Sequence, residues 1–253
     1  MALKLNFVAS RADVAQKSLG MMVDRYGNAP AESADAIIAL GGDGFMLETL
    51  HSTQHLPTPV FGLNRGSVGF LMNEYAEDNL EKRIKDAEMA VIHPLAMTAY
   101  CADGSEQKAL AINEVSLLRA GPQAAKLKIS VDDKVRLSEL VCDGALLATP
   151  AGSTAYNYSA HGPILPIGAE ILALTAMSAF RPRRWRGALL PIGAKVRFDV
   201  LEPQKRPVTA AADSTEARDV LAVEIISAPD VEHRILFDPG HGLEERLIRE
   251  QFA

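Results

Sequence analysis

The chain has 253 residues, of which 48% are hydrophobic and 23% are charged, so it can form one large or two modest domains with a buried core. Its net charge of −6 excludes a broad surface for nucleic acid or anionic membranes, but it leaves room for a local basic pocket that binds a nucleotide. Cys101 and Cys142 lack metal-ligand spacing and no apolar stretch reaches the roughly eighteen residues of a membrane span, so we expect a cytoplasmic protein with free thiols.

The first part of the chain alternates strand patterns with helix patterns. Short apolar runs predict buried strands at residues 5–9, 36–40 and 59–63. Amphipathic or charged stretches predict helices at residues 12–25, from Phe45 onward, and at 79–90. Such alternation is typical of a parallel sheet covered by helices. We therefore predict an α/β domain over residues 1–95.

The pattern changes near residue 95, where strand signals begin to dominate. Runs separated by turn residues predict strands at 96–100, 109–118, 126–135 with a turn at Asp132 and Asp133, 144–149, 195–201 and 220–227. This spacing indicates a mostly antiparallel, β-rich domain over residues 96–240. An amphipathic pattern at 243–251 predicts a helix, within a last segment 241–253, that returns to the first domain.

A glycine-rich turn, Gly41-Gly42-Asp43-Gly44, directly follows the predicted strand at 36–40. Open α/β sheets bind ligands at the carboxyl ends of their strands, and glycine lets a phosphate approach main-chain N–H groups. Asp43 is the only group in the turn that can hold a metal ion or take a proton, so the turn suits phosphoryl transfer on a nucleotide. The alternative is a tight turn whose aspartate caps the following helix.

A second glycine-bearing loop, residues 64–71, follows the predicted strand at 59–63. Two such loops at the carboxyl edge of one sheet are expected to face each other across a crevice. Arg65 is the candidate phosphate contact of this loop, although a plain structural turn is the other interpretation. The chain contains no GxxxxGK[ST] sequence, which excludes a P-loop kinase.

The most specific stretch covers residues 143–163. It begins at Asp143, continues through an apolar strand, and then concentrates small and hydroxyl residues in a loop before a helix start near Ala155. Backbone N–H groups and hydroxyls in such a loop can hold phosphate or ribose oxygens. The alternative is a plain turn at 150–153 with Ser153 or Thr154 as a helix N-cap.

Three motifs, in this order, resemble the NAD kinase family: the turn at 41–44, the pair Asn113-Glu114, and the run Thr149-Pro150-Ala151-Gly152-Ser153-Thr154-Ala155-Tyr156. The resemblance implies an N-terminal α/β nucleotide-binding domain carrying the GGDG turn and a C-terminal β-rich domain that binds NAD. It implies transfer of phosphate from ATP to the adenosine-ribose 2′-hydroxyl of NAD, which gives NADP. A divalent cation, magnesium or manganese, would be carried with ATP.

The resemblance also implies roles for single residues. Asp43 corresponds to the general base for the ribose hydroxyl, and Gly42 and Gly44 would lie near the phosphates. The residues implied to bind the dinucleotide are Phe70 beside the adenine, Asn113, Glu114, Asp143 near the nicotinamide end, Thr154, Ala155, Tyr156, Asn157, Tyr158 and Ser159. No Cys or His cluster suggests a dedicated metal site. Because parts of the family's site can come from a neighbouring subunit, a homo-oligomer, dimer or tetramer, is implied.

Some features leave alternatives open. Phe45 follows the GGDG turn where the family often has a hydroxyl or Asn residue, and the basic cluster at 179–187 replaces a less charged run. That cluster can attract phosphate or form a solvated or subunit-facing edge. His161 is a less favoured alternative base, because no neighbouring residue in the sequence orients it. A lipid or sugar kinase of the same superfamily, or a non-catalytic dinucleotide-binding regulator, remain the rival functions.

Overall fold

The computed structural model describes residues 2–66 and 69–252, so Ser67 and Val68 of the predicted loop at 64–71 lie outside the described residues. The chain divides into two compact units. The first contains Met1–Ile92 and Val231–Ala253, and the second contains His93–Asp230. No helix in the described ranges is long and apolar enough to cross a membrane.

The secondary structure is dominated by strands. They are β1 (Leu5–Ala9), β2 (Ala36–Gly41), β3 (Val60–Asn64), β4 (Glu88–Ile92), β5 (Leu95–Cys101), β6 (Glu106–Ala111), β7 (Glu114–Arg119), β8 (Ala125–Val131), β9 (Lys134–Cys142), β10 (Gly144–Ala148), β11 (Ile171–Met177), β12 (Gly187–Pro191), β13 (Val196–Val200), β14 (Val208–Ala212), β15 (Thr215–Ala217), β16 (Val220–Ser227) and β17 (His233–Phe237). The helices are α1 (Asp13–Tyr26), α2 (Asp43–Ser52), α3 (Leu80–Asp86), α4 (Tyr156–Ser159) and α5 (Leu243–Gln251).

The first unit is built on a five-stranded sheet with the order β1-β2-β3-β17-β4. Its first four strands run parallel, and β4 pairs antiparallel with β17. Apolar side chains of β1 and β2, such as Phe7 and Ile38, are buried with Ala15 and Met22 of α1. This confirms the predicted α/β class, and it places the carboxyl ends of β2 and β3 next to each other.

The return to the first unit begins at Val231, which differs from the predicted start at 241. The reason is β17, a short strand that pairs with β3 on one side and with β4 on the other, and so belongs to the sheet of the first unit. A strand that pairs with partners about 175 and 145 positions earlier leaves no local signal of the sheet to which it belongs. The predicted helix at 243–251 is present as α5.

The second unit contains two six-stranded antiparallel sheets, which confirms the predicted β-rich class. Their orders are β12-β11-β10-β7-β14-β15 and β6-β5-β16-β13-β8-β9. Inward-facing residues of both sheets, including Leu117, Leu147, Phe198 and Val223, belong to one buried hydrophobic cluster. The cluster provides a rigid base for the loops at the ends of β7, β10 and β14.

Several predicted boundaries differ from the structure. The predicted strand at 109–118 is two strands, β6 and β7, and the predicted helix at 79–90 ends at Asp86 before β4 begins. The predicted turn at Asp132 and Asp133 is present, and both residues have positive φ angles of 52° and 59°, as a tight hairpin between β8 and β9 requires. Among the described residues, the strands that no prediction covers are β4, β11, β12, β14, β15 and β17.

Candidate active site

The glycine turn lies at the carboxyl end of β2, as the sequence predicts. Gly41 ends the strand, Gly42 is the extended N-cap residue, and α2 begins at Asp43, two residues before the predicted start. A Cβ atom on Gly41 would come within 2.8 Å of the Phe45 Cβ. Residue 41 therefore has to be glycine because the first turn of α2 packs directly on the strand end.

The Asp43 carboxylate is held by the second loop. Its Oδ2 accepts the Phe70 N–H at 2.6 Å, and its Oδ1 accepts the Leu71 N–H at 2.9 Å. A Cβ atom on Gly69 would lie 2.6 Å from Oδ1, so only glycine allows this approach. A carboxylate has about four lone-pair directions, so two remain for a substrate. Both hydrogen bonds come from the second loop, so the role of Asp43 extends beyond capping α2.

Arg65, the candidate phosphate contact, is anchored inside the first unit. Its N–H donates to the Gly41 carbonyl at 2.7 Å, which joins the ends of the two loops. Its Nε donates to Ser18 Oγ at 2.6 Å, and its guanidinium carbon lies 3.2 Å from the centre of the Tyr75 ring. A phosphate contact by Arg65 would therefore have to use its terminal N–H groups.

In the second unit, the turn between β6 and β7 is fixed by Asp213, which sequence reasoning missed. The Asp213 carboxylate accepts the backbone N–H groups of Ile112 at 2.7 Å, Asn113 at 3.0 Å and Glu114 at 3.4 Å. Asp213 itself has a positive φ of 47° in the hairpin between β14 and β15. An aspartate between two strand-like runs is the signal that was available, since such residues favour turns.

The Glu114 side chain is partly buried beside Asp213. Burial, together with the nearby Asp213 carboxylate, raises the pKa of Glu114 to about 7, while a hydrogen bond from the Tyr156 backbone acts in the opposite direction. Its Oε2 atom is buried and has no hydrogen-bond partner within the part of the chain that the structure describes. Burial and Glu114 together raise the pKa of the Tyr156 hydroxyl. The Glu114 carboxyl group can therefore gain or lose its proton near neutral pH.

The raised pKa gives a testable effect on stability. Because the pKa of Glu114 is about 7 in the folded protein and about 4.5 in the unfolded chain, the stability gained from its proton is complete below pH 4.5 and is lost as pH rises to about 7. We expect Glu114→Gln to raise the free energy of unfolding relative to wild type by up to about 3 kcal/mol at pH 8, and by much less at pH 5. Denaturant titrations at both pH values measure this difference.

The exposed Glu106 on β6 provides the control for that experiment. Glu106→Gln is expected to leave the unfolding free energy nearly unchanged at both pH values, because exposed substitutions have small effects. A Glu114→Gln effect of equal size at pH 5 and pH 8 would contradict the raised pKa.

The run at 149–156 packs on the turn that contains Asn113. Thr149 Oγ1 donates to the Ile112 carbonyl at 2.8 Å and accepts the Gly152 N–H at 3.0 Å. The Thr149 N–H donates to the Asn113 carbonyl, and a Cβ atom on Gly152 would lie 2.2 Å from that same oxygen. The two motifs are therefore one folded piece, and the small residues are needed for their contact.

Asn157 and Ser153 are completely buried. The Asn157 amide donates to the carbonyls of Ser153 at 3.0 Å and Pro163 at 2.9 Å, and its Oδ1 accepts the Thr175 hydroxyl at 2.6 Å. Ser153 Oγ donates to the Pro150 carbonyl and accepts the Leu165 N–H. These groups hold the loop in shape, and their polar atoms are already used inside the protein.

The other predicted residues of this segment reach the surface. Tyr156 is 36% exposed and Tyr158 is 45% exposed, whereas Thr154 and Ala155 are partly buried and Ser159 is exposed. Asp143 precedes β10, where its Oδ1 accepts Arg119 Nε at 2.7 Å in a half-exposed ion pair. The side chains that a ligand can touch thus lie next to residues that only support the loop.

The cavities of the second unit include the two described next. One, of about 420 Å³, is lined by His161, Gly162, Pro163, Leu174, Arg186, Gly187, Ala188 and Leu189, and so contains part of the basic cluster. The other, of about 840 Å³, includes Cys101, Gln107 and Leu221 and contains none of the predicted site residues. Over residues 2–66 and 69–252, no three His, Cys, Asp or Glu side chains are grouped to hold a metal ion.

Comparisons with known proteins match both units. The model of the ATP-NAD kinase N-terminal domain matches residues 13–88, and that of the ATP-NAD kinase C-terminal domain matches residues 112–228. A protein of Cereibacter sphaeroides named NAD kinase is 69% identical over 250 residues, which cover 99% of this chain and 98% of that protein.

Two solved structures share the fold. Yeast NADH kinase, complexed with NADH, has a TM-score of 0.80 and 19% identity, covering 100% of this chain and 88% of its own. An NAD kinase from Archaeoglobus fulgidus, in complex with ATP, has a TM-score of 0.74 and 24% identity, covering 98% of this chain and 97% of its own. At these identities the likeness concerns the fold.

Proposed function

The chain belongs to the NAD kinase family, and on that premise we propose that Asp43 is the general base of its reaction. The protein is thus an NAD kinase, a phosphotransferase that acts on an alcohol group. The observation that carries the role of Asp43 is its carboxylate, which two backbone N–H groups orient at the carboxyl end of β2 while the residue stays partly exposed. A base has to be both fixed in direction and open to its substrate.

In the proposed step, the 2′-hydroxyl of the adenosine ribose attacks the γ-phosphorus of ATP. Asp43 takes the hydroxyl proton as the new O–P bond forms, and the bond between the γ-phosphorus and the ADP oxygen breaks. General-base help is worth about 10² to 10⁴ in rate, so positioning and charge stabilisation supply the rest. Gly42 and Gly44 are proposed to lie near the phosphates, because they flank Asp43 at the start of α2.

The contacts with NAD are proposed from the family resemblance and from which side chains are accessible. Most of them lie in the second unit: Asn113, Glu114, Asp143, Thr154, Ala155, Tyr156, Tyr158 and Ser159. Phe70 in the first unit is the proposed aromatic contact. Glu114 is supported by its buried Oε2, an acceptor that a ligand N–H or O–H could satisfy. Asn157 is proposed to shape the site through its backbone neighbours, since its amide is already bonded.

The phosphate donor is proposed to be ATP carrying a divalent cation, with magnesium or manganese as the cations expected. When bound, the cation would neutralise developing charge on the phosphate groups. The solved Archaeoglobus fulgidus NAD kinase is in complex with ATP, which supports this donor.

A homo-oligomer in the cytoplasm is also proposed. The support for an oligomer is the family resemblance together with two large apolar side chains on the surface of the second unit, Phe180 at 56% exposed and Leu189 at 54% exposed. The support for the cytoplasm is that both cysteines are free thiols and are buried.

The experiment that tests this function is NADP formation by the purified protein from NAD, ATP and magnesium. We expect NADP to form, and we expect no phosphorylation of diacylglycerol or fructose 6-phosphate, the acceptors of the related GGDG kinases. Turnover of either acceptor with no NADP would favour a lipid or sugar kinase. Binding of NAD without any NADP would favour a regulator.

A further inference from the structure

We propose that Arg246 of α5 is a positioning residue for phosphoryl transfer, because its guanidinium fixes the backbone segment that holds the Asp43 carboxylate. The inference rests on the proposed role of Asp43 and adds a group that no motif in the sequence indicates. Both residues belong to the first unit.

All three nitrogen atoms of the Arg246 guanidinium donate hydrogen bonds. Nη1 donates to the carbonyl oxygens of Phe70, at 3.0 Å, and Met72. Nη2 donates to Asn73 Oδ1 at 3.3 Å, and Nε donates to the His241 carbonyl at 2.8 Å. A planar guanidinium that bonds at several points sets the orientation of its acceptors, which a single flexible contact cannot do.

The same short segment holds Asp43. The Phe70 backbone donates its N–H to Asp43 and accepts a hydrogen bond from Arg246 at its carbonyl. The Leu71 N–H, the second donor to Asp43, lies between the two carbonyls that Arg246 binds. The Phe70 carbonyl and the Leu71 N–H belong to one planar peptide group, so if that carbonyl turns, the Leu71 N–H turns with it. Arg246 therefore orients the Asp43 carboxylate through the Phe70–Leu71 peptide group, which it binds at the carbonyl and which binds Asp43 at the N–H.

Asn73 closes the far end of the segment. Its N–H donates to the Gly62 carbonyl at 2.8 Å, and its side-chain amide donates to the Leu236 carbonyl at 3.0 Å. Its Oδ1 accepts both Arg246 and the Asp238 N–H. The segment is thus bound to β3 and β17 at this end, so the part that depends on Arg246 is the stretch at 70–72.

Charge adds to this geometry. Arg246 is partly buried, which lowers its pKa, while the carboxylates of Asp43 and Asp238 act in the opposite direction. Its guanidinium also lies over the Phe237 ring, 4.9 Å from the centroid. An arginine in such a position stays protonated, so it places a fixed positive charge near the carboxylate that it orients.

The test uses Arg246→Gln and Arg246→Lys, with Arg249→Gln as the matched control. Arg249 lies one turn later on α5, is exposed, and pairs only with Glu245 in the contacts described. We expect Arg246→Gln to lower kcat by about tenfold or more, with the KM for NAD and for ATP within about twofold of wild type. The kcat of Arg246→Lys should lie between those of Arg246→Gln and wild type, and the kcat of Arg249→Gln should equal that of wild type.

Hydrogen exchange supplies a readout besides activity. In Arg246→Gln the amides of Phe70 and Leu71 should exchange faster than in wild type, at a temperature well below unfolding. In an Asp43→Asn background, Arg246→Gln should lower kcat by no more than about twofold further, because both changes act on one group.

Three results would overturn the proposal. One is a wild-type kcat in Arg246→Gln with only a lower unfolding temperature, which would make Arg246 an anchor for α5. Another is a full additional loss of kcat in the Asp43→Asn background. If Arg246→Gln does not fold, a wild-type kcat in Arg246→Lys, together with faster exchange at Phe70, would also overturn it. High turnover by Asp43→Asn alone would instead refute the proposed base, which separates the two failures.

Discussion

Replacing Asp43 with asparagine should lower kcat for NADP formation by about 10²-fold or more while NAD binding stays nearly unchanged. The amide has almost the shape of the carboxylate, and its oxygen can still accept the N–H of Phe70 or Leu71. It cannot take the proton of the ribose hydroxyl. Steady-state NADP formation gives kcat, and calorimetric titration with NAD gives the dissociation constant.

The control for Asp43→Asn is Glu48→Gln, at an exposed carboxylate on the same helix. It should match wild type in both measurements, because nothing places Glu48 in the site. Near-wild-type turnover by Asp43→Asn would refute the role of Asp43 as base. Loss of both turnover and the folded state would instead show that the carboxylate mainly joins the two loops, and melting curves distinguish that result.

The local part of the candidate site could be predicted from the sequence. The strand β2, the glycine turn and α2 are adjacent in the chain, so an apolar run followed by glycines and a helical pattern indicates all three. The position of Asp43 at a strand end follows from the same pattern. The predicted start of α2 is two residues late, since helix ends carry weak signals and Gly44, a poor helix former, lies in the first turn.

The groups that orient the site could not be predicted, because they act from far along the chain. Asp213 binds the Asn113 N–H across 100 positions, and Arg246 binds the Phe70 carbonyl across 176 positions. Each is an ordinary charged residue in its own segment, one in a hairpin turn and one in an amphipathic helix. Only the folded chain shows which backbone groups they meet.

Neighbouring residues of one sequence motif also differ in burial, which the motif itself does not indicate. Tyr156 and Asn157 are adjacent in the most specific run, yet Tyr156 is 36% exposed and Asn157 is fully buried. A motif contains both the residues that contact a ligand and the residues that hold those contacts in place. The strand β11 has no predictive signal for a related reason, because it is buried along almost its whole length and its mostly apolar run shows no alternation with polar residues.

Removing divalent cations should abolish NADP formation, with a loss of about 10³-fold or more, and adding magnesium or manganese should restore it. The reason is that the triphosphate carries several negative charges that resist attack by the ribose oxygen, and a cation neutralises them during transfer. The measurement is the rate with a strong chelator, then after each cation is added in excess. Chelator already saturated with magnesium is the control and should leave the rate unchanged.

The same experiment shows where the cation is bound. Within the described ranges no three His, Cys, Asp or Glu side chains are grouped to hold a metal ion. We therefore expect the cation to arrive with ATP, so chelation should leave the unfolding temperature of the nucleotide-free protein unchanged. Elemental analysis that finds one tightly held metal ion per chain without nucleotide would contradict this.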